Sequence, residues 1–171
     1  MPPPDDISDE VLLKIVLQET TDEETNALVW KYLGYRRSTQ TDAWDATFVF
    51  PKWAERYPQP PDLIGVTRTY TREVDEPVLR AVQSLQRSVP TEHKKGLVRT
   101  LKPLGWSGYI LDGLTPNKTR RAQVANWLLY YRTALHGVPL DELQRRKAER
   151  AAVEAQAPAR PPTGTTKQGV I

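Results

Sequence analysis

The run from Leu114 to Arg132, LTPNKTRRAQVANWLLYYR, constrains the fold more than any other stretch of this chain. Thr115 supplies an N-cap hydroxyl for a free backbone N–H of the first helical turn. Pro116 follows at the first helical position, where its missing donor is not needed. Val124, Leu128, Tyr131 and Leu135 then recur at three- and four-residue spacing, with Ala125 and Leu129 beside them. This spacing places them on one stripe of a helix, and so apolar a stripe has to face a core. Gly137 fits just past the C-terminus, and Pro139 forbids simple continuation.

The same helix carries Lys118, Arg120 and Arg121 in its opening turns, where the partial positive charge of the helix end disfavours cations. Cations and free N–H groups together attract an anion. Two readings follow. Either acidic side chains of this chain sit there, or the helix end is open to an external anionic partner. The candidate site is Thr115, Lys118, Arg120 and Arg121, extended by Lys94, Lys95 and Arg99. A phosphate loop is excluded despite the Lys118-Thr119 ending, because Asp112 and Asn117 stand where glycines have to let backbone amides wrap a phosphate. Asn117-Lys118-Thr119 fits a glycosylation sequon, which is idle without secretion.

Charge is segregated along the chain. From Met1 to Glu24 eight acids stand against Lys14 alone, and from His93 to Leu140 eight cations stand against Asp112 alone. The two segments either face each other in the fold or form two poles of the molecule. At 171 residues without cysteine, the chain is expected to form one domain with tails, free of disulfides, thiolate metal sites and cysteine nucleophiles. It has no apolar run of membrane-spanning length, and MPPPDD is not a signal peptide, so the expectation is a soluble, cytoplasmic protein with no membrane insertion.

In chain order, residues 1–7 are expected to be disordered, 8–137 to form a single globular domain, 138–156 a charged and partly exposed helix, and 157–171 a disordered tail. Ser8 caps a helix to about Glu19, and Thr21 with Glu24 makes a capping box for a second that Gly34 stops. Tyr35 to Trp44 reads as a small hairpin, with Phe48 to Phe50 as a further short strand. Pro51 opens a short helix carrying Trp53. Pro77 and Pro90 each open another, and Trp106 to Leu111 reads as a short strand or close-packed turn. The fold class is therefore mainly α (α+β): a compact multi-helix domain with a small β-hairpin or short-strand element.

No catalytic constellation emerges. His93 and His136 have no carboxylate or further ligand at a useful spacing, so neither a catalytic centre nor a metal or other cofactor is assigned. Asp42 and Asp45 around Trp44 read as turn residues. Most Trp and Tyr residues are assigned to the core, and Trp106, Tyr109 and Tyr130 are the candidate exposed anchors.

Three strings, Trp30 to Arg36 (WKYLGYR), Tyr57 to Arg68 (YPQPPDLIGVTR) and Leu114 to Tyr131, together resemble a family of cyanobacteria and plastids known as a domain of unknown function, number 1823. The resemblance covers roughly Ile7 to Arg132. It implies a cyanobacterial cytosol or plastid stroma, and no activity. The expected function is a non-catalytic interaction or assembly factor docking a protein with an acidic surface through the basic helix end. The alternative is RNA or single-stranded nucleic-acid binding by the same face. Oligomeric state is left open.

Overall fold

The computed structural model describes residues 1–156 and 170–171. Among them are seven α-helices and a two-stranded antiparallel hairpin, so the fold is mainly α. The central element is α6 (Pro116–Tyr130), continued by a π-helical turn (Tyr131–Leu135). Around it pack α1 (Asp9–Val16), α2 (Asp22–Leu33), α4 (Arg72–Arg87) and α5 (Gly96–Leu101). Val124, Ala125, Trp127 and Leu128 of α6 are completely enclosed by Leu12 and Ile15 of α1, Val29 and Leu33 of α2, Ala81, Val82 and Leu85 of α4, and Leu101 of α5. Packed on several sides, the helix buries not only its apolar stripe but also the polar residues Asn117, Arg120, Arg121 and Asn126, while Lys118 and Thr119 of its first turns reach solvent.

Local chemistry sets the element ends. The Ser8 hydroxyl accepts from Val11 N at 3.3 Å and starts α1. Thr21 and Glu24 form the expected reciprocal capping box at the start of α2. Gly34 ends α2 at φ +114°, and a Cβ there would lie 2.1 Å from the Phe48 carbonyl oxygen. Only glycine permits both that backbone angle and that approach. The chain then enters β1 (Arg36–Arg37), which pairs with β2 (Trp44–Asp45) through Arg36 opposite Asp45 and Arg37 opposite Trp44. Trp44 meets the Trp30 ring edge-on at 5.6 Å, tying the hairpin to α2. Next comes α3 (Pro51–Arg56), with Trp53 buried.

Several sequence expectations are corrected. The first residues are not a free tail: Asp5–Ile7 form a 3-10 turn, Ile7 is fully buried, and Asp6 pairs with Lys31 and Tyr32. Helix α1 ends at Val16, three residues early, because Gln18 turns the chain at φ +60°. Phe48 to Phe50 is a turn that hydrogen-bonds back to α2 through Phe50 N and Leu33 O, not a strand. Helix α4 begins at Arg72, ahead of Pro77, which lies inside it. The added turn is held by Asp75 N donating to Thr71 O and by the Asp75 carboxylate gripping Arg120, which offsets the donor that Pro77 lacks. Pro90 opens only a 3-10 turn (Thr91–His93) before α5. Trp106 to Leu111 contains no strand. Helix α7 (Leu140–Gln156) is as charged as its composition implies, with Leu143 its one buried residue. Of the expected tail, residues 157–169 lie outside the described residues, whereas Val170 and Ile171 are buried.

Candidate functional site

The polar residues of α6 form two buried clusters. Arg121, 1 % exposed, donates from Nε to Asn117 Oδ1 (2.9 Å), from Nη1 to Ile15 O (3.0 Å) and Thr20 Oγ1 (3.1 Å), and from Nη2 to Thr20 O and Asp22 Oδ1 (both 2.8 Å). Each guanidinium nitrogen is thus satisfied, as burial of a charge requires. Ile15 O belongs to the C-terminal end of α1, so the cation also meets the negative end of that helix. Burial alone would raise the Asp22 carboxyl. Hydrogen bonds from Arg121, Asn117 and Arg68 outweigh it and hold the group below the usual carboxylate value.

Arg120 forms the second cluster. Its two terminal nitrogens each meet one oxygen of Asp75 at 2.6 Å, a bidentate pair, and its guanidinium lies 5.7 Å from the Tyr70 ring centre. The Arg120 hydrogen bonds hold the Asp75 carboxyl low, against the opposing effect of burial. Gly65 passes so close that a Cβ would lie 3.1 Å from Arg120 Nη1. Asp62 supports this loop by accepting from Ile64 N, Gly65 N, Val66 N and Asn26 Nδ2. Trp30 Nε1 donates to Pro61 O at 2.7 Å, so segments from all three family-like strings converge here.

The candidate anion site therefore divides. Arg120 and Arg121 are removed from it: both are buried against acids of the same chain, the reading of the two that needs no outside partner. Arg121 with Asp22 and Arg132 with Asp9 also join the basic segment to the acidic one, so the two segments face each other across α6 and α1. Thr115 caps α6 through its hydroxyl, 3.2 Å from Lys118 N. Lys118 turns outward and donates to Gly113 O at 3.0 Å.

Lys94, Lys95 and Arg99 are exposed along α5 and the turn before it, as is Lys102 beyond it. Among the described residues none of the four is in an ion pair. Burial first, then Arg87, lowers the Lys94 ammonium from its ordinary value, and it donates to Gln86 O. Asn126 holds Leu97 N, His93 O and Lys94 O, which sets the start of α5 beside the C-terminal half of α6. Between α5 and α6 the loop is anchored by buried Trp106, which Tyr109 meets edge-on while donating to Val16 O at 2.8 Å. Beyond that anchor Ile110 and Leu111 project, 76 % and 89 % exposed, and Leu104 and Leu114, toward the two ends of the same connection, are also exposed. Exposed cations thus lie on α5 and its flanking turns, and exposed aliphatic side chains lie on the loop that follows.

Trp106 and Tyr130, expected at the surface, are buried at 7 % and 4 %, and Tyr109 is half-buried. They fill the space between elements, so they are not open anchors. His93 stacks on Tyr130 at the C-terminal end of α6, about 22 Å along that helix from Thr115. It does not join the carboxylates at the other end. His136 sits beside Tyr131 and contacts Pro2 O. Sequence reasoning missed Asn117, Asn126, Asp62 and Asp75, whose long-range partners are 29 to 99 residues away. The one available signal was an α6 with too many polar residues for a helix so apolar. Among the described residues no group of histidines and carboxylates is arranged to hold a metal ion, and no helix is long and apolar enough to cross a membrane.

The model of a family described as Domain of unknown function (DUF1823) matches residues 6–133. A solved structure described as "Solution NMR structure of the protein" is 39 % identical to this chain, covers 75 % of it and 94 % of its own length, and superposes with a TM-score of 0.58. None of the curated proteins matches.

Proposed function

The chain belongs to the DUF1823 family, whose description names no activity, and from that premise we propose that it is a non-catalytic interaction or assembly factor that docks an acidic protein. On this proposal the docking surface is α5 and the connection to α6: Lys94, Lys95, Arg99 and Lys102, the loop residues Ile110 and Leu111, and Lys118 just past the loop. One observation carries this reading: Lys94, Lys95, Arg99 and Lys102 along α5 and its flanking turns are exposed and in no ion pair among the described residues, and the loop that follows α5 carries Ile110 and Leu111, 76 % and 89 % exposed. On this reading the cations steer and orient an acidic surface while Ile110 and Leu111 supply desolvated contact. Trp106 and Tyr109 hold the loop in place, so little ordering entropy opposes docking. The resemblance of the three strings extends the proposal to a photosynthetic cell, in cyanobacterial cytosol or plastid stroma.

Nucleic-acid binding would use the same cations, but it also needs faces for base stacking, and Trp106 and Tyr130 are buried. The test is capture of partners from native lysate, with and without nuclease, by the natural chain and by two variants, Ile110→Ser/Leu111→Ser and Arg99→Glu/Lys102→Glu. The expectation is a protein retained through nuclease treatment by the natural chain and lost by both variants, whose melting temperatures stay within about 3 °C of the parent because the altered side chains are exposed. Capture that collapses with nuclease transfers the surface to nucleic acid. Capture unchanged in both variants removes the surface from function.

A further inference from the structure

Helix α7 is weakly attached to the domain. Three of its charged pairs lie within the helix, Arg145 with Glu142 and Glu149 and Arg146 with Glu142, and Arg150 reaches the Tyr130 hydroxyl of α6. Leu143 is its one buried side chain, and Val153 near its far end is 70 % exposed. Yet Val170 and Ile171, fourteen and fifteen residues beyond the last residue of α7, are buried in the main core cluster that also holds Leu143, at 2 % and 9 % exposure. They are the first large aliphatic residues after Val153, following a stretch of proline, threonine, glycine and charged residues. Lys147 lies one turn beyond Leu143, on the same face of α7, and its ammonium donates to the backbone oxygen of Ile171.

The surroundings of that oxygen point the same way. Lys147 is half-buried and close to Lys52 of α3, so two ammonium groups are brought near each other beside it. Burial first, then Lys52 and Arg150, pushes the Lys147 ammonium down to about 8. Two converging cations are disfavoured unless an oxygen acceptor sits with them, and Ile171 supplies one.

We propose that the domain carries a binding site for a short aliphatic peptide segment, formed by the Leu143–Lys147 face of α7 beside Lys52 of α3, and that Val170–Ile171 is its tethered ligand within the same chain. The arm clips α7 to the domain. Two side chains and one hydrogen bond make a weak ligand on their own. Tethering compensates, because a short linker holds the ligand at an effective concentration on the order of millimolar. The attachment is therefore exchangeable: an external segment of the same chemistry, a pair of β-branched aliphatics with a backbone oxygen beside them, competes for the site and releases α7.

The probe is a fluorescent peptide of residues 165–171, measured by anisotropy against the full chain and against a chain lacking Val170 and Ile171. The shortened chain is expected to bind it about tenfold more tightly than the full chain, whose site is filled by its own arm at millimolar effective concentration. A peptide with Val170→Asp and Ile171→Asp should not bind, and Lys147→Glu in the shortened chain should weaken binding about tenfold with unchanged circular dichroism, as expected for a charged hydrogen bond. In the full chain, Val170→Asp/Ile171→Asp should speed amide exchange over residues 143–150 and leave α6 unchanged. Equal peptide affinity for the two chains, or equal binding of the Asp peptide, overturns the site. A full chain that is dimeric in light scattering, and monomeric once Val170 and Ile171 are removed, overturns the assignment to the same chain and makes the arm an exchange between copies.

Discussion

At the scale of single residues, Arg121 shows what a buried charge requires. It has five hydrogen bonds to Asn117, Ile15, Thr20 and Asp22, and hardly any exposure. Arg121→Ala would leave Asp22 buried beside Asn117, with the half-exposed Arg68 as its only cation. We expect a loss of about 3–5 kcal/mol in urea unfolding, because the variant strands a buried carboxylate. Arg121→Lys should recover only part of this, since a point charge cannot satisfy acceptors spread around a planar fork. Had the side chain been an open anion-binding group, the same replacement would leave stability nearly unchanged. Arg120 differs from Lys118 for the same reason. Two residues apart on one helix, they point to opposite environments, and only the contact with Asp75 on α4 separates their roles.

At the scale of elements, α6 is the clearest case of local chemistry surviving into the fold. Thr115, Pro116 and the apolar stripe act as the sequence implies. Thr115→Ala should cost about 1 kcal/mol in urea unfolding through loss of the cap. Lys118→Ala should stay within about 0.5 kcal/mol, since it trades an exposed bond to Gly113 O for relief of a cation at a helix N-terminus. A large loss from Lys118→Ala would show that the loop before α6 depends on that bond. Elements whose ends depend on distant partners were less legible. Asp75 extends α4 past Pro77 because Arg120 is there to hold it, and no property of residues 72–77 alone announces this. Asn126 similarly sets the start of α5 from another helix.

At the scale of the whole molecule, the opposed charge blocks are stitched together through Asp22 with Arg121 and Asp9 with Arg132, and Asp75 with Arg120 adds a third clamp on α6. Acid should therefore unfold the protein. The Asp22 and Asp75 carboxyls titrate in the fold below their ordinary value, so the stability they add is complete above the unfolded value of about 3.9 and is lost as pH falls through the folded values. Thermal melts should be flat from pH 7 to about 5 and fall steeply below about 4. Asp75→Asn should melt lower at pH 7 and decline less in acid. An unchanged acid limb in that variant would remove Asp75 from the linkage. After the clamps are formed, Lys94, Lys95, Arg99, Lys102 and Lys118 are in no ion pair among the described residues, and these are the cations of the proposed partner surface.

Sequence alone determined the features written within one turn or one helix: the caps at Ser8, Thr21 and Thr115, the stop at Gly34, the Arg36–Asp45 hairpin and the buried stripe of α6. These follow from backbone donors, steric limits and helical periodicity, which act between near neighbours. Tertiary structure decided which charges are structural and which face solvent. Arg120, Arg121 and Lys118 look equivalent in the chain. Their fates depend on Asp75 and Asp22, 45 and 99 residues away, whose positions are set only when α4 and α2 pack on α6. Burial of Val170 and Ile171 has the same origin, since two aliphatic residues in a polar tail acquire meaning only from the surface that receives them.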